Sequence, residues 1–339
     1  MSEDVDEDAL SPAEVVEMYL DHRRPELSQK SLWNQKYQLD NFAEFCQERG
    51  IDDLQELTGR DIHRYRTWRS QQGISPLTLR TNLATLRVFL EFAASIDAAE
   101  EGLREKVILP EIDREDEAKD VKLDDELANT VLDYLGRFRY ASRDHVIIGI
   151  LWHTGIRLGT LRAFDVEDFD REDHCLRVRH RPETGTPLKN GKAAERAIAV
   201  GEYYCQVLED YLENHRDPVT DEHGREPLIS SSHGRLTETP IRDAVYRWTR
   251  PCFVGLECPH DRDPDDCEAT LSKKASECPS SRSPHGVRRG ALTRMLREGT
   301  PEQVVSDRSD VTTDVLEQHY DRRSERERME LRRKFLRDQ

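Results

Sequence analysis

Four segments in the first hundred residues carry the helix signals that most constrain this chain. The first, SPAEVVEMYLDHR, opens with Ser11 as a cap, Pro12 in the first turn and Glu14 at the capping-box position. Three more segments with apolar residues near a helical period follow at 28–50, 58–73 and 75–96. Four capped helices in succession predict a compact helical bundle, which we place at residues 11–104.

The rest of the chain predicts a different kind of domain. Residues 105–122 are highly charged and indicate a linker, and residues 123–339 mix helices with short strands. The stretches 174–180 and 195–200 predict a strand pair around a polar turn, and 202–215 predicts a helix. We therefore expect a mostly α protein with a small β-sheet, consisting of a helical bundle and an α+β domain.

Charge and composition indicate the salt concentration and the cellular compartment in which the protein works. The formal net charge is −17, and only ten of the 51 basic residues are lysines. Such a composition is typical of proteins that stay hydrated in concentrated salt, where charges are screened within a few Å. The acidic first ten residues predict a disordered tail rather than a secretory signal. No run of residues is apolar enough to span a membrane, so we expect a cytoplasmic protein.

Three short motifs carry residues suited to phosphate chemistry. HTGIR places Arg157 after a small-residue turn, and PHGVRR places His285 and Arg288 three residues apart on one face of a helix that Ser283 caps. A helix N-terminus with these two side chains is suited to a bound phosphate. The third motif, HYDRR, contains Tyr320 in a run of charged residues, where an isolated tyrosine is most simply a surface residue.

The order of these motifs, with a lysine-bearing strand pair between the first two, resembles the tyrosine recombinase family of phage integrases and Xer-type resolvases, including haloarchaeal-type members. The resemblance implies that residues 11–104 are a SAM-like core-binding DNA-binding domain and that 123–339 are the catalytic domain. It implies a site-specific DNA recombinase or integrase that cuts and rejoins DNA through a 3′-phosphotyrosine intermediate.

The same resemblance assigns catalytic roles by position. The first catalytic arginine falls on Arg157, the His-x-x-Arg pair on His285 and Arg288, and the nucleophile on Tyr320. The hairpin lysine falls on Lys189, with Lys192 as the alternative.

The chain departs from the family pattern at three points. Thr160 stands where a glutamate is usual, and Arg308 aligns with the second His or Trp, from which a phosphate contact is implied. Three extra residues then precede the tyrosine.

The resemblance also implies the partners, namely double-stranded DNA and further copies of the chain as a dimer or tetramer on paired sites. No cofactor is implied for catalysis, and no nucleotide is expected, because GTPLKNGKA lacks the spacing and the Ser or Thr of a phosphate-binding loop. Two alternatives share the fold. One is a catalytically silent DNA-binding architectural or regulatory protein, which Thr160 and Arg308 favour, and the other is a nicking enzyme resembling type IB topoisomerases.

A cysteine-rich insertion at 252–282 predicts either a structural zinc site or a flexible loop with free thiols. The candidate ligands are Cys252, Cys258, Cys267 and Cys278, with His260 as an alternative. Thiolates and imidazole are the ligands that zinc prefers in structural sites, but the spacing is not that of a C-x₂-C knuckle. The remaining cysteines, Cys46, Cys175 and Cys205, are scattered, and we expect them to be buried thiols.

Overall fold

The computed structural model describes residues 10–112, 121–320 and 325–333. The chain divides into two units between residues 119 and 120. Both units are dominated by helices, and the strands are short and antiparallel, which confirms the predicted fold class. No helix among the described residues is both long and apolar enough to cross a membrane.

The first unit is the predicted helical bundle. Its helices are α1 (Pro12–Arg23), α2 (Gln29–Arg49), α3 (Gly59–Ser70), α4 (Pro76–Ser95) and α5 (Leu103–Lys106). The capping signals act as the sequence predicts, since Ser11 and Glu14 form a reciprocal capping box at the start of α1. Helix α2 ends at Gly50, which adopts the left-handed conformation with φ of 66°. Aromatic and aliphatic side chains from α1 to α4 form one core.

Residues just outside the predicted bounds of 11–104 also contact this unit. The Leu10 carbonyl accepts a hydrogen bond from the Leu54 amide at 3.1 Å, so Leu10 belongs with the bundle, while the predicted tail at 1–9 lies outside the described residues. Val107 is fully buried, and Arg87 Nε donates to its carbonyl at 2.9 Å. Val107 and the partly buried Leu109 therefore pack with the core of the first unit, within the stretch that the sequence predicts as a linker, and 113–120 lie outside the described residues.

The second unit is built around a buried helix. Its helices are α6 (Asp125–Phe138), α7 (Arg143–Thr154), α8 (Leu158–Ala163), α9 (Glu202–Asn214), α10 (Glu238–Trp248), α11 (Pro284–Arg297), α12 (Glu302–Ser309), α13 (Thr313–His319) and α14 (Glu325–Arg333). Helix α7, RDHVIIGILWHT, is apolar around most of its circumference, and a helix of that kind is stable only in a core. Helices α6, α9, α10 and α11 pack around it.

Two small antiparallel sheets complete this unit. The larger has the order β1 (Phe169–Asp170), β2 (Cys175–Val178) and β3 (Arg196–Ala199), and the smaller pairs β4 (Ser230–Ser231) with β5 (Gly234–Arg235). Leu176 lies opposite Ile198, which confirms the predicted pairing of 174–180 with 195–200. The long connection between β2 and β3 carries both candidate lysines.

A buried ion-pair network fixes the base of that connection. Asp165 and Asp168 are fully buried, and Arg181 Nη2 donates to Asp168 Oδ1 at 2.8 Å. Arg235 pairs with Asp165, and Arg225 donates to Thr186 Oγ1 at 3.0 Å. Buried carboxylates need such partners, because an unpaired buried charge is costly. The network therefore fixes the first part of the β2–β3 connection, before its two lysines.

Candidate active site

Arg157 is positioned by the turn that ends α7. Gly155 adopts φ of 65°, and a side chain there would also approach Leu292 Cδ2 to 2.9 Å, so both backbone and space favour glycine. The chain then turns so that Arg157 is the N-cap of α8. Its guanidinium forms an ion pair with Asp310, whose carboxylate also accepts hydrogen bonds from Asn190 at 3.0 and 3.1 Å.

Arg288 lies on α11 and is only 3% exposed. Its Nη1 donates to the Gly155 carbonyl at 2.7 Å and to the Ser309 carbonyl at 2.9 Å. These bonds tie α11 to the ends of α7 and α12. Burial lowers the pKa of Arg288 to about 10 and the charge of Arg157 adds to this effect, while Tyr320, through its charge and a side-chain hydrogen bond, acts in the opposite direction. Arg157 and Arg288 therefore face the same region although they are far apart in sequence.

His285 lies about one turn before Arg288 on the same helix and, unlike Arg288, is exposed. Its surroundings in the cleft lower its pKa by desolvation, and the positive charges of Arg289, Arg288, Lys189 and Arg157 lower that pKa further. Desolvation and the neighbouring positive charges both disfavour a second proton on the ring. A neutral imidazole is the form that can accept a proton.

Tyr320 follows α13 and is 5% exposed. Its amide donates to the Leu316 carbonyl at 2.9 Å, and its own carbonyl accepts a hydrogen bond from Thr293 Oγ1 at 3.3 Å. Its side chain lines the same cleft as Arg288. The ring is therefore part of the core of this unit rather than a surface residue of a solvated helix.

One cleft of about 820 Å³ brings these residues together. Its lining consists of Arg157, Lys189, Asn190, Ala193, Ala194, Glu195, Arg196, His285, Arg288, Ser306, Asp307, Asp310, Val311, Thr312, Val315 and Tyr320. Five of the six residues predicted to be catalytic are present in this list. Lys189 lines the cleft, whereas Lys192, in the 3₁₀ turn Gly191–Ala194, does not. The cleft thus combines a buried phenol with several cationic groups.

Arg308 is the predicted residue that does not line the cleft. Its Nη2 donates to the His153 carbonyl at 3.4 Å, and burial lowers its pKa. A different arginine, Arg196 at the start of β3, lines the cleft instead and donates through Nε to the Arg308 carbonyl at 3.0 Å. Thr160, the other departure from the family pattern, is buried in α8 away from the cleft.

Sequence reasoning missed three cleft residues, namely Asn190, Arg196 and Asp310. Arg196 follows directly after Glu195 at the start of a predicted strand, and that position was the available signal. Asp310 adopts φ of 57°, which is uncommon for a residue other than glycine, and it ends α12. No sequence pattern indicates that it pairs with Arg157.

One group of possible metal ligands, Asp170, Asp173 and Cys175, lies at the β1–β2 turn, outside the cleft. Asp170 already accepts hydrogen bonds from the amides of Glu172 and Asp173 and from Arg177. These bonds account for the acidic residues as parts of a tight turn.

Comparison with known families identifies the family to which this chain belongs. Residues 122–326 match the phage integrase family, and residues 17–96 match the phage integrase N-terminal SAM-like domain. The chain belongs to the phage integrase family. It is a site-specific tyrosine recombinase, a class of enzyme that needs no cofactor for catalysis.

Curated relatives carry the same name for the activity. The tyrosine recombinase XerC of Shewanella amazonensis is 26% identical over 229 residues, which cover 66% of this chain and 70% of the relative. XerC of Mycobacterium sp. (strain KMS) is 25% identical over 274 residues, which cover 78% of each chain.

Solved integrases share the fold. The Tn1549 transposon integrase in complex with a circular intermediate DNA gives a TM-score of 0.69 at 14% identity, covering 96% of this chain and 99% of that chain. A lambda integrase dimer bound to a COC′ core site gives 0.58 at 13% identity, covering 98% and 79%.

Proposed function

We propose that this integrase cleaves one strand of double-stranded DNA with Tyr320 and holds the scissile phosphate with Arg157 and Arg288. The observation that carries the proposal is the single cleft shared by these residues, Lys189 and His285. A phenol with an ordinary pKa near 10 is a poor nucleophile at neutral pH, so it needs cations beside it. Arginine suits this role because its planar donors match two phosphate oxygens and keep their charge.

In the proposed cleavage step, protein side chains account for every bond and proton, and neither a metal nor a nucleotide takes part. Tyr320 Oη attacks phosphorus as its proton passes to the neutral ring of His285, and a 3′-phosphotyrosine bond forms. The bond from phosphorus to the 5′ oxygen breaks, and Lys189 gives that oxygen a proton. The reverse reaction with a new 5′ hydroxyl rejoins the strand, and no ATP is needed because the phosphotyrosine conserves the bond.

The nucleophile belongs to the same copy of the chain as the arginines it works with. Tyr320 lines the same cleft as Arg157 and Arg288, and Thr293, on the same helix as Arg288, donates to the Tyr320 carbonyl. These contacts support cleavage within one subunit. Assembly would then pair two active sites rather than complete one.

Relatives indicate the partners. The Tn1549 integrase is named in complex with DNA and the lambda integrase as a dimer on a core site. We extend both features to this chain, so that it binds double-stranded DNA and acts as a dimer or tetramer on paired sites. The acidic, lysine-poor composition supports a cytoplasm of high salt as the setting. Strand cleavage should then persist at molar KCl, and activity confined to dilute buffer would contradict that setting.

Covalent capture tests the function directly. The protein is incubated with a pool of nicked duplexes with randomised cores, and complexes that survive denaturation are collected and sequenced. A nick near the cleavage point lets the short product diffuse away, which traps the 3′-phosphotyrosine.

We expect capture by the native chain and by Tyr203→Phe, an exposed tyrosine outside the cleft that serves as the control. Tyr320→Phe should lose capture while it still shifts the same duplexes in a native gel. Native protein that binds duplexes but is never captured would instead support the silent DNA-binding alternative.

A further inference from the structure

The connection between α10 and α11 gathers four of the seven cysteines around one small cavity. Cys252, Cys258, Cys267 and Cys278 line it together with His260, and all four thiols are free and partly exposed. The cavity measures about 10 Å³, which is close to the space that a single water molecule occupies. Residues up to 26 positions apart thus lie around one site of atomic size.

Each of the four cysteines also begins a tight turn. Their carbonyls accept hydrogen bonds from the amides three residues later, at 3.3 Å for Cys252, 3.2 Å for Cys258, 2.9 Å for Cys267 and 3.0 Å for Cys278. The amides of Phe253, Asp266 and Leu271 make equivalent bonds, so turns of this kind recur along the segment and hold its backbone in a defined conformation.

Arg250 supplies an independent reason for negative charge at the cavity. It is 2% exposed and lines the cavity, and it donates to the carbonyls of Ala269 and Arg247. Among the residues that the structure describes, no carboxylate pairs with it. A buried guanidinium without an anion is costly, and deprotonated thiols beside it would provide that anion.

We propose that Cys252, Cys258, Cys267 and Cys278 bind one structural Zn²⁺ as thiolates. Binding releases the four thiol protons and leaves a net charge of −2 at the site, which Arg250 and the cavity-lining Arg262 offset. Four thiolates favour zinc over Mg²⁺ or Ca²⁺, which prefer oxygen ligands.

His260 lies outside this ligand set. Its Nε2 is 2.8 Å from Ser280 Oγ, so one ring nitrogen is already engaged. No three of the candidate ligand atoms lie within 4.8 Å of one another, whereas sulfurs around tetrahedral zinc are about 3.8 Å apart. Metal binding therefore draws the four turns closer together.

The metal site would affect helix α11, which bears His285 and Arg288, through the last residues of the connection between α10 and α11. Arg282 donates its amide to Thr249 Oγ1 at 2.8 Å, which closes the connection into a loop. The next residue, Ser283, caps α11 by accepting from the Gly286 amide at 3.1 Å. Zinc at the four thiols would order the segment that leads directly into the turn bearing His285.

Metal analysis of the full chain tests the proposal without reference to DNA cleavage. The protein is purified without chelator, its zinc content is measured, and Co²⁺ is exchanged in to record its absorption spectrum. The variants are Cys252→Ser and Cys267→Ser, with Cys175→Ser as the matched control at a buried cysteine outside the segment. His260→Ala tests the ligand set.

We expect about one zinc per chain in the native, Cys175→Ser and His260→Ala proteins, and cobalt spectra typical of tetrahedral thiolate. Cys252→Ser and Cys267→Ser should lose nearly all of the metal and melt at a lower temperature. A native chain without zinc, in which the four thiols of this segment react with a thiol reagent in the folded state, would overturn the proposal. Loss of zinc in His260→Ala would overturn the four-thiolate assignment, as would a disulfide found by mass.

Discussion

The ion pair between Arg157 and Asp310 makes a sharp prediction about DNA binding. In the structure the guanidinium that we assign to the scissile phosphate is bound to a carboxylate, and Asn190 holds that carboxylate in place. A phosphate has the same charge and similar oxygen geometry, so it must displace Asp310 to reach Arg157. Asp310→Asn should therefore strengthen DNA binding.

The magnitude follows from the exposure of the pair. The Arg157 and Asp310 side chains are 28% and 17% exposed, which places them between surface and buried ion pairs. Surface pairs contribute about 0.2–1 kcal/mol, and breaking a buried pair costs about 3–5 kcal/mol. We expect the Arg157–Asp310 pair to oppose DNA binding by about 1–2 kcal/mol. Its removal then corresponds to a DNA affinity about 5–30-fold higher in the variant.

Asp307 provides the matched control. It also lines the cleft but is exposed and is bonded to Gln303 rather than to an arginine. Asp307→Asn makes the same change in net charge without freeing Arg157. The affinities are measured by fluorescence anisotropy with a labelled duplex, in the Tyr320→Phe background to avoid covalent capture. Equal gains in both variants would show a general charge effect and refute the displacement, and weaker binding by Asp310→Asn would show that Asp310 orients Arg157.

Three further predictions concern other residues of this unit. In covalent capture, Lys189→Ala should cleave about 10²–10³-fold more slowly, whereas Lys192→Ala should stay within a few-fold of the native rate; the reverse order would move the proton donor to Lys192. Arg196→Ala should reduce capture more than Arg308→Ala, because the first lines the cleft and the second does not; the opposite ranking would restore the role that the resemblance implies for Arg308. Burial lowers the pKa of His145 from 6.5 to about 4. As pH decreases, this imidazole therefore binds a proton in the unfolded chain before it does so in the folded chain. The stability of the folded state should then fall between about pH 6.5 and pH 4. Denaturant unfolding should show a loss of about 2 kcal/mol at pH 5 from this residue, and a His145→Asn variant with the same pH dependence as the native protein would contradict it.

The elements predicted from sequence are those with strong local signals. Ser11, Ser75 and Ser283 all cap helices where the sequence places them, because a capping side chain and a proline in the first turn act within a few residues. The strand pair around the lysine-bearing connection was predictable for the same reason, since alternation and turn residues are local.

Features that depend on tertiary contact were not predictable in this way. The run 105–122 predicts a linker because most of its residues are charged, yet Val107 within it is buried, and its carbonyl accepts a hydrogen bond from Arg87. Arg308 occupies the right position in the sequence for a catalytic role, but its side chain turns to the His153 carbonyl, and Arg196 from a strand takes the place in the cleft. Whether Arg196 or Arg308 faces the cleft depends on tertiary packing, which the residues next to each arginine in the sequence do not determine.

Arg288 shows why the catalytic centre and the core of this unit are difficult to separate. A sequence motif predicts it to be a phosphate ligand, and in the structure it also donates to the Gly155 and Ser309 carbonyls at the ends of two other helices. Because Gly155 begins the turn that presents Arg157, and Ser309 precedes Asp310, one buried guanidinium sets the position of both members of the ion pair. Thr293, on the same helix, donates to the Tyr320 carbonyl and so ties the proposed nucleophile to α11 as well. The cleft is therefore assembled by packing before DNA arrives, and binding needs only to exchange a carboxylate for a phosphate.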